Sequence, residues 1–142
     1  MVSIRQTSLY NSVIKELNYP FATIFLCDGF IISEINQGVD FSWDDHAEQV
    51  SQDIASYYGT DGHDLILISN RIHSYAVAPA DWFKFFKHNY KLKGYAIVGY
   101  GKFTFINAMI ENLFFDKKIK RFSDINAALD WATNSYLQTL TV

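Results

Sequence analysis

Two short aliphatic runs constrain the fold of this chain more than any other feature. Residues 65–68 (Leu-Ile-Leu-Ile) and 95–98 (Tyr-Ala-Ile-Val) are too short for helices and carry no charged side chain on either face. Strands that are buried on both faces have this character, and they occur in sheets covered by helices on both sides. We therefore predict two parallel strands that lie side by side near the centre of an α/β sandwich.

An antiparallel hairpin is predicted ahead of these strands. Residues 22–27 and 30–35 are apolar and flank Asp28-Gly29, a pair that suits a two-residue type I′ turn. Residues 1–20 leave two alternatives open. Tyr10, Val13 and their neighbours have helical spacing, whereas a strand ahead of the hairpin fits nearly as well.

Helical patterns separate the remaining predicted strands. One helix begins near Ser42, with Asp45 three residues on, and Gly59 ends it; another begins at Pro79. A last short strand is predicted at 119–122, and Ser123 or Asp124 caps the last helix. The apolar residues at helical spacing in the first three helices are Trp43, Ala47, Val50, Ile54 and Tyr57; Trp82, Phe83, Phe86 and Tyr90; and Ile106, Met109, Ile110 and Leu113. The predicted inner face of the last helix is Ile125, Ala128, Leu129 and Ala132.

The order of these elements predicts an α/β fold with a mixed sheet. An N-terminal antiparallel hairpin is followed by parallel strands with right-handed crossover helices, in the order ββαβαβαβα. No repeat, low-complexity tract or Pro/Ser-rich linker divides the 142 residues. We therefore expect a single domain over residues 1–142.

Composition excludes several classes of function. The net charge of −3 argues against nucleic-acid binding, because phosphate recognition needs a concentrated positive face. No apolar run reaches the roughly 18 residues that a membrane span requires, and the first residues do not resemble a signal peptide. Cys27 has no cysteine partner and falls in an apolar strand, which predicts a buried thiol. We expect a cytoplasmic protein.

The candidate functional edge follows the two aliphatic strands. In open α/β sheets, ligands bind beyond the carboxyl ends of parallel strands, so both exit loops are candidates. The guanidinium of Arg71 suits an anion or carboxylate, whereas a structural role for this loop is the competing interpretation. The candidate ligand-binding or partner-binding residues are Ser69, Asn70, Arg71, His73, Ser74 and Tyr75 in the first loop, and Gly99, Tyr100, Gly101 and Lys102 in the second.

No catalytic or metal-binding constellation is found in the sequence. The turn at residues 99–102 lacks the spacing of a phosphate loop or a dinucleotide fingerprint. His46 lies among acidic residues but has no second histidine at a useful spacing, so helix-end acids are the simpler interpretation. No Ser or Cys nucleophile sits in a catalytic motif. We expect a protein that is not an enzyme and that needs no cofactor or metal.

The chain resembles the SpoIIAA-like (STAS-like) proteins, particularly a bacterial group of unknown function. The resemblance covers roughly residues 21–132. It is carried by three segments, IISEINQGVDFSW, LILISNRIHSYAVAPADWFKF and YAIVGYGKFTFINAMIENLFFDKKIKRFSDINAALDWA. It implies a SpoIIAA-like mixed sheet and a non-catalytic binding domain.

The resemblance also bears on whether the chain binds a protein partner or a small molecule. In the anti-sigma-factor antagonists of this superfamily, a Ser in an Asp-Ser-Ser-Gly-like stretch after the central strand is phosphorylated by a partner kinase. The loop at residues 69–79 has no such stretch, which argues against phosphorylation of Ser69 or Ser74. We expect a regulatory interaction with a protein partner or a second copy, such as a homodimer, supported by the abundant aromatic residues around 82–86. The alternative is a small anionic or lipid-like ligand, because lipid-transfer proteins of the CRAL-TRIO type have a related architecture.

Overall fold

A six-stranded mixed sheet organises the computed structural model of this protein. The structure describes residues 2–60, 62–73, 75–88, 92–99, 109–112, 115 and 119–141. The strands are β1 (Lys15–Asn18), β2 (Ala22–Leu26), β3 (Phe30–Ile35), β4 (Ile66–Asn70), β5 (Gly94–Val98) and β6 (Lys120–Phe122). The helices are α1 (Glu48–Tyr58), α2 (Pro79–His88) and α3 (Ile125–Thr141). No helix in the described part of the chain is both long and apolar enough to cross a bilayer.

The strands lie in sequence order, from β1 at one edge to β6 at the other. β1, β2 and β3 pair antiparallel, and β3 to β6 pair parallel. The two aliphatic runs are therefore neighbours, with Ile66 opposite Gly94 and Asn70 opposite Val98. This confirms the predicted mixed α/β fold and its side-by-side parallel strands.

A strand lies ahead of the hairpin, where the sequence had left a helix and a strand as alternatives. β1 precedes the hairpin and extends it to three antiparallel strands. Two short 3-10 helices, Ile4–Gln6 and Ser8–Ser12, come before β1. The side chain of Ile4 is fully buried, so this segment packs on the sheet.

The hairpin is confirmed, but its predicted type I′ turn is wrong. Gly29 has a φ of 86°, whereas Asp28 does not have a positive φ. A type I′ turn requires positive φ at both central residues, and the observed signs are those of a type II turn. Glycine alone adopts the left-handed conformation here because its lack of a Cβ removes the steric cost.

Side chains that alternate along the strands build a core on each face of the sheet. On one face, Ile24, Ile31 and Ile97 pack with Val50 and Ile54 of α1. On the other face, a second cluster packs against the 3-10 segment and α3, and its members are Ile4, Phe25, Cys27, Phe30, Ile32, Ile66, Ile68, Ala96, Val98, Ile125, Ala128, Leu129 and Ala132. Burial of Cys27 and of the inner face of α3 confirms those two predictions.

The start of α1 is specified by a side-chain cap. Ser42 accepts a hydrogen bond at Oγ from the amide of Asp45 (3.1 Å), as predicted, and a π-helical turn, Trp43–Ala47, leads into the helix. The imidazole of His46 caps as well, because its Nδ1 accepts a hydrogen bond from the amide of Ser42 (2.9 Å). His46 thus serves the helix start.

Four apolar residues at predicted helical spacing are exposed. Phe83 is 52% exposed, whereas Phe85 is buried, because residues two apart on a helix point to opposite sides. Tyr57 is also exposed, at the last turn of α1. Residues 109–111 are helical, but Met109 and Ile110 face solvent. The remaining predicted apolar positions, Trp82, Phe86, Tyr90, Ile106 and Leu113, lie outside what the structure describes for side chains.

Candidate functional site

The exit loops of β4 and β5 lie against each other, as the sequence predicts. The amide of Arg71 donates to the carbonyl of Val98 (2.9 Å), and the amide of Gly99 donates to the carbonyl of Phe122 (3.0 Å). Hydrogen bonds of this kind continue the parallel ladder beyond the strands. Ser74, Tyr100, Gly101 and Lys102 of the predicted site lie outside the described residues.

The predicted site residues of the first loop are divided between the two faces of the sheet. Ser69 and Arg71 point to the face covered by α1, whereas Asn70 points to the face covered by α3. This division follows from the period of two along a strand, since β4 extends to Asn70. The predicted edge therefore contains two separate polar networks.

Arg71 is the centre of the network on the α1 face. Its Nη2 lies 2.6 Å from Oε1 of Glu111 and 3.2 Å from the hydroxyl of Tyr95. The Tyr95 hydroxyl also donates to Oε1 of Glu111 (2.9 Å). The side chain of Arg71 is 9% exposed and that of Glu111 is fully buried. The guanidinium and the carboxylate are therefore a desolvated ion pair that Tyr95 supports.

The electrostatics of this network keep Arg71 charged. Burial alone lowers the pKa of Arg71, but Tyr75, Tyr95 and Glu111 outweigh it, so the pKa lies above its usual range. Burial, followed by the charge of Glu111, raises the pKa of Tyr95 well above its ordinary value. Tyr95 is therefore a neutral hydrogen-bond donor, and the positive charge of Arg71 is compensated inside the protein.

A pair of hydroxyl groups extends this network. Nε of Arg71 donates to Oγ of Ser69 (3.1 Å), and Oγ of Ser69 lies 3.3 Å from the hydroxyl of Tyr75. The guanidinium carbon of Arg71 lies 5.5 Å from the centre of the Tyr75 ring, within range of a cation–π contact. The loop that carries Tyr75 is fixed by the neighbouring Ala76, whose carbonyl accepts from the amide of Phe41 (2.8 Å).

A cavity of about 100 Å³ lies directly beside these hydroxyls. It is partly open and lies between the α1 face of the sheet, α1 itself and Phe85 of α2. Among the described residues, its apolar lining is Ile24, Ile31, Ile35, Phe41, Ala47, Val50, Ile54, Leu67, Phe85 and Leu92, and its polar lining is Ser33, Ser51, Ser69, Tyr75 and Tyr95. Ser69 and Tyr95 contact Arg71 through hydrogen bonds, and Tyr75 contacts Ser69, so the cavity reaches the ion-pair network.

Asn70 belongs to a different network on the opposite face. Its Nδ2 donates to Oε2 of Glu34 (2.8 Å) and to the carbonyl of Val2 (3.1 Å). The same carboxylate accepts from the amide of Ile4 (2.8 Å) and from the hydroxyl of Ser3 (2.6 Å). Three donors of this kind stabilise a buried carboxylate. Asn70 and Glu34 therefore attach the N-terminal segment to the sheet.

His73 is placed away from the cavity. It lines an open polar cleft of about 460 Å³ together with Ser3, Arg5 and Glu34. Among the described residues, no group of three or more His, Cys, Asp or Glu side chains is arranged to hold a metal ion.

Sequence reasoning missed two acidic residues that organise these networks. Glu111 was hidden because Met109 and Ile110 beside it have the apolar character of an inner helix face. Glu34 was hidden because it is the one charged residue of the otherwise mostly apolar strand β3. A buried Arg71 requires a partner carboxylate, which is the signal that anticipates Glu111 in principle. The sequence alone does not say which carboxylate fills that role.

Comparison with known proteins supports the fold assignment. No protein-family model matches the chain, and no curated protein matches it. Among solved structures, it is similar to an uncharacterized protein of the DUF3478 family from Shewanella loihica PV-4, described as having a SpoIIAA-like fold. The two are 19% identical over 78% of this chain and 91% of that one, with a TM-score of 0.57. The SpoIIAA-like fold inferred from the sequence is confirmed, and at this identity the likeness concerns the fold alone.

Proposed function

We propose that this protein binds a small, largely apolar molecule in the cavity beneath α1 and α2, and that it is a binding protein without enzymatic activity. The observation that carries the proposal is the cavity of about 100 Å³, with its apolar walls and hydroxyl groups at one end. Protein interiors contain few voids larger than a water molecule. Apolar pockets with a few convergent polar groups are the usual form of a small-molecule site.

The energetics of the cavity support a bound molecule. A ligand that occupies the pocket removes apolar wall surface from water, which contributes about 25 cal/mol per Å². It also gains contacts with Ile54, Leu67 and their neighbours. An apolar cavity of about 150 Å³ accepts benzene, so a compound of that size or smaller is the appropriate probe for this pocket.

The charge distribution favours a neutral ligand over the anion that the sequence suggested as one alternative. The guanidinium of Arg71 is already paired with Glu111, and its Nε is bonded to Ser69. An anion entering the cavity would therefore find no uncompensated charge on Arg71. A carboxylate without a cationic partner would also lose its hydration shell.

The absence of enzymatic activity is supported by the surroundings of the cavity hydroxyls. Ser69 contacts the guanidinium of Arg71, a cation that cannot accept its proton, and the hydroxyl of Tyr75; neither a histidine nor a carboxylate contacts it among the described residues. His73, the histidine nearest in sequence, lines the separate polar cleft. Within the described residues, these contacts do not form the nucleophile–base pair that hydrolytic chemistry requires.

The experiment that tests ligand binding uses benzene and a cavity-filling variant. We expect benzene to shift the amide resonances of residues lining the cavity in a saturable way, and to raise the Tm. Ala47→Leu places additional carbon atoms in the cavity, because Ala47 is buried and lines it. This variant should lose the benzene response.

Ala127→Leu is the matched control for that experiment. Ala127 is exposed on α3, on the opposite side of the sheet, so the same exchange adds apolar surface without touching the cavity. This variant should bind benzene as the wild type does. Absence of a benzene response in the wild type, or an equal response in Ala47→Leu, would refute the proposal.

A second proposal, interaction with a protein partner or a second copy, is supported by Phe83. Its side chain is 52% exposed on α2, with the ammonium of Lys87 5.3 Å from its ring centre. Large exposed aromatic side chains are enriched at protein interfaces. Sedimentation velocity of the wild type, Phe83→Glu and the control Ala80→Glu tests self-association. Self-association is supported if the wild type and Ala80→Glu sediment as dimers and Phe83→Glu sediments as a monomer. It is opposed if all three proteins sediment as monomers.

We also propose a cytoplasmic location, where a reduced thiol such as Cys27 is ordinary. Cys27 is buried and unpaired. Fractionation of cells that express the tagged full chain tests this location. Recovery of the protein outside the cytoplasmic fraction would contradict it.

A further inference from the structure

The hydroxyl groups at one end of the cavity determine what kind of polar atom a ligand can place there. Ser69 and Tyr75 line the cavity and lie 3.3 Å apart, as described above. Ser33 also lines it and is the direct partner of Ser69 in the register of β3 and β4. Adjacent strands are about 4.8 Å apart, so these three hydroxyls converge on one region.

Counting protons at this end shows a surplus of donors. Ser69 and Tyr75 each carry one hydroxyl proton, and one of the two serves their mutual hydrogen bond. Oγ of Ser69 also accepts from Nε of Arg71, so its remaining capacity as an acceptor is reduced. Whichever hydroxyl donates, the other keeps a proton for which the described contacts supply no acceptor. The Ser33 hydroxyl makes no hydrogen bond in the described part of the chain and adds a second such proton.

The region is also uncharged in effect. The hydroxyl of Tyr95, which lines the cavity, already donates to Glu111 and accepts from Arg71. The charges of Arg71 and Glu111 compensate each other at 2.6 Å. A ligand atom placed against Ser33, Ser69 and Tyr75 therefore meets hydroxyl donors, without a net charge behind them.

We infer that the cavity selects a neutral ligand with one hydrogen-bond acceptor, of the carbonyl class, whose oxygen receives hydrogen bonds from the hydroxyls of Ser33 and of the Ser69–Tyr75 pair. Ketones, esters and other uncharged carbonyl compounds with an apolar body fit this description. A carbonyl oxygen has two lone pairs, which matches the two surplus donors. The inference rests on the proposed ligand-binding function and specifies the chemical class of its ligand.

Three probes of the same shape test the inference. They are methyl propyl ketone, the alkene in which a methylene group replaces the carbonyl oxygen, and butanoate, in which a charged oxygen replaces the methyl group. Their Kd values are measured with the full chain by titration, following amide chemical shifts. We expect the ketone to bind at least as tightly as the alkene, and butanoate to bind at least about tenfold more weakly than the ketone.

The outcomes separate this inference from the proposal on which it rests. A cavity without available donors leaves the buried carbonyl unpaired, so the ketone would bind at least about tenfold more weakly than the alkene. That result would overturn the inference while leaving apolar binding intact. Butanoate binding as tightly as the ketone would overturn the uncharged character of the site. If none of the three binds, the proposed function fails and the inference fails with it.

A combined variant tests the residues themselves. Ser33→Ala with Tyr75→Phe leaves the Ser69 hydroxyl as one donor in place of two, and keeps the Tyr75 ring in its contact with Phe41. The ketone-to-alkene preference should fall about three- to tenfold. Ser56→Ala, which changes an exposed serine of α1 outside the cavity lining, should leave the preference unchanged. An unchanged preference in the combined variant would overturn the assignment; should that variant not fold, the probe series with the wild type decides.

Discussion

Replacement of Glu111 by Gln tests the buried ion pair that closes one side of the candidate site. The exchange removes a charge with little change of shape, so the Gln oxygen still accepts from Arg71 and Tyr95. What is lost is the compensation of the guanidinium, whose side chain is 9% exposed. We therefore expect a loss of folding stability much larger than the loss of an ordinary hydrogen bond.

The magnitude follows from the geometry. Two unit charges about 4 Å apart interact by roughly 4 kcal/mol at an effective dielectric constant of about 20. Breaking a buried pair by removal of one partner typically costs about 3–5 kcal/mol, which agrees. A domain of this size has a total stability of about 5–15 kcal/mol, so Glu111→Gln consumes a large part of it.

Urea unfolding, followed by circular dichroism, measures this loss. With an m-value of about 2 kcal/mol per M, the midpoint should fall by roughly 2 M. The control is Glu16→Gln, which neutralises the exposed pair between Glu16 and Arg5, whose side chains are 22% and 47% exposed. Exposed pairs contribute about 0–1 kcal/mol, so the control should shift little.

Replacement of both Arg71 and Glu111 distinguishes the loss of the ion pair from the cost of leaving one charge buried alone. Arg71→Met with Glu111→Met removes both charges and should be less destabilised than Glu111→Gln, because no unpaired charge stays buried. If Glu111→Gln costs no more than Glu16→Gln, the pair is not desolvated. The reasoning about a charge-compensated cavity would then be refuted.

Three further predictions concern the rest of the fold. Burial raises the pKa of Cys27 from its ordinary value of 9.0 to about 12, so the thiol of the unfolded chain ionises at a lower pH than that of the folded protein. Between these two pKa values, the free energy of unfolding should therefore fall by up to about 1.4 kcal/mol per pH unit. Urea unfolding of Cys27→Ala should show a smaller fall with pH than the wild type, and an equal fall would contradict the prediction. Glu34→Gln removes the negative charge that strengthens the hydrogen bonds from Ile4 and Asn70, so we expect faster hydrogen exchange at Ile4 and a loss of about 1–2 kcal/mol; unchanged exchange would oppose the anchoring role. Gly29→Ala places a Cβ at a φ of 86° and should cost about 1–2 kcal/mol in thermal unfolding, a cost that a relaxed turn would not show.

The centre of the sheet could be predicted from the sequence because local pattern and tertiary position agree there. Residues 66–68 and 96–98 are aliphatic on both faces, which is what helices on both sides of a sheet require. Their parallel pairing brings Arg71 next to Val98, as expected for the exit loops of neighbouring strands. The predicted turn type failed because the type I′ preference of Asp-Gly is statistical, and Asp28 keeps an ordinary φ.

The organisation of the candidate site could not be predicted, because it depends on contacts between residues distant in sequence. Glu111 lies 40 positions from Arg71, and its burial reverses the helix face that Met109 and Ile110 suggest. Asn70 is adjacent to Arg71 in sequence but bonds to Glu34 on the other face. The sequence identified the polar loop correctly as a concentration of hydrogen-bonding groups, but the cavity is formed by side chains from both the sheet and the helices.

A crystal structure of the protein soaked in benzene tests the central claim most directly. The account predicts electron density for the ring in the cavity between Leu67 and Tyr95 of the sheet and Ile54 of α1, with the Arg71–Glu111 pair intact beside it. A cavity that stays empty at saturating benzene, or one that is closed by Phe85 in the crystal, would contradict the account.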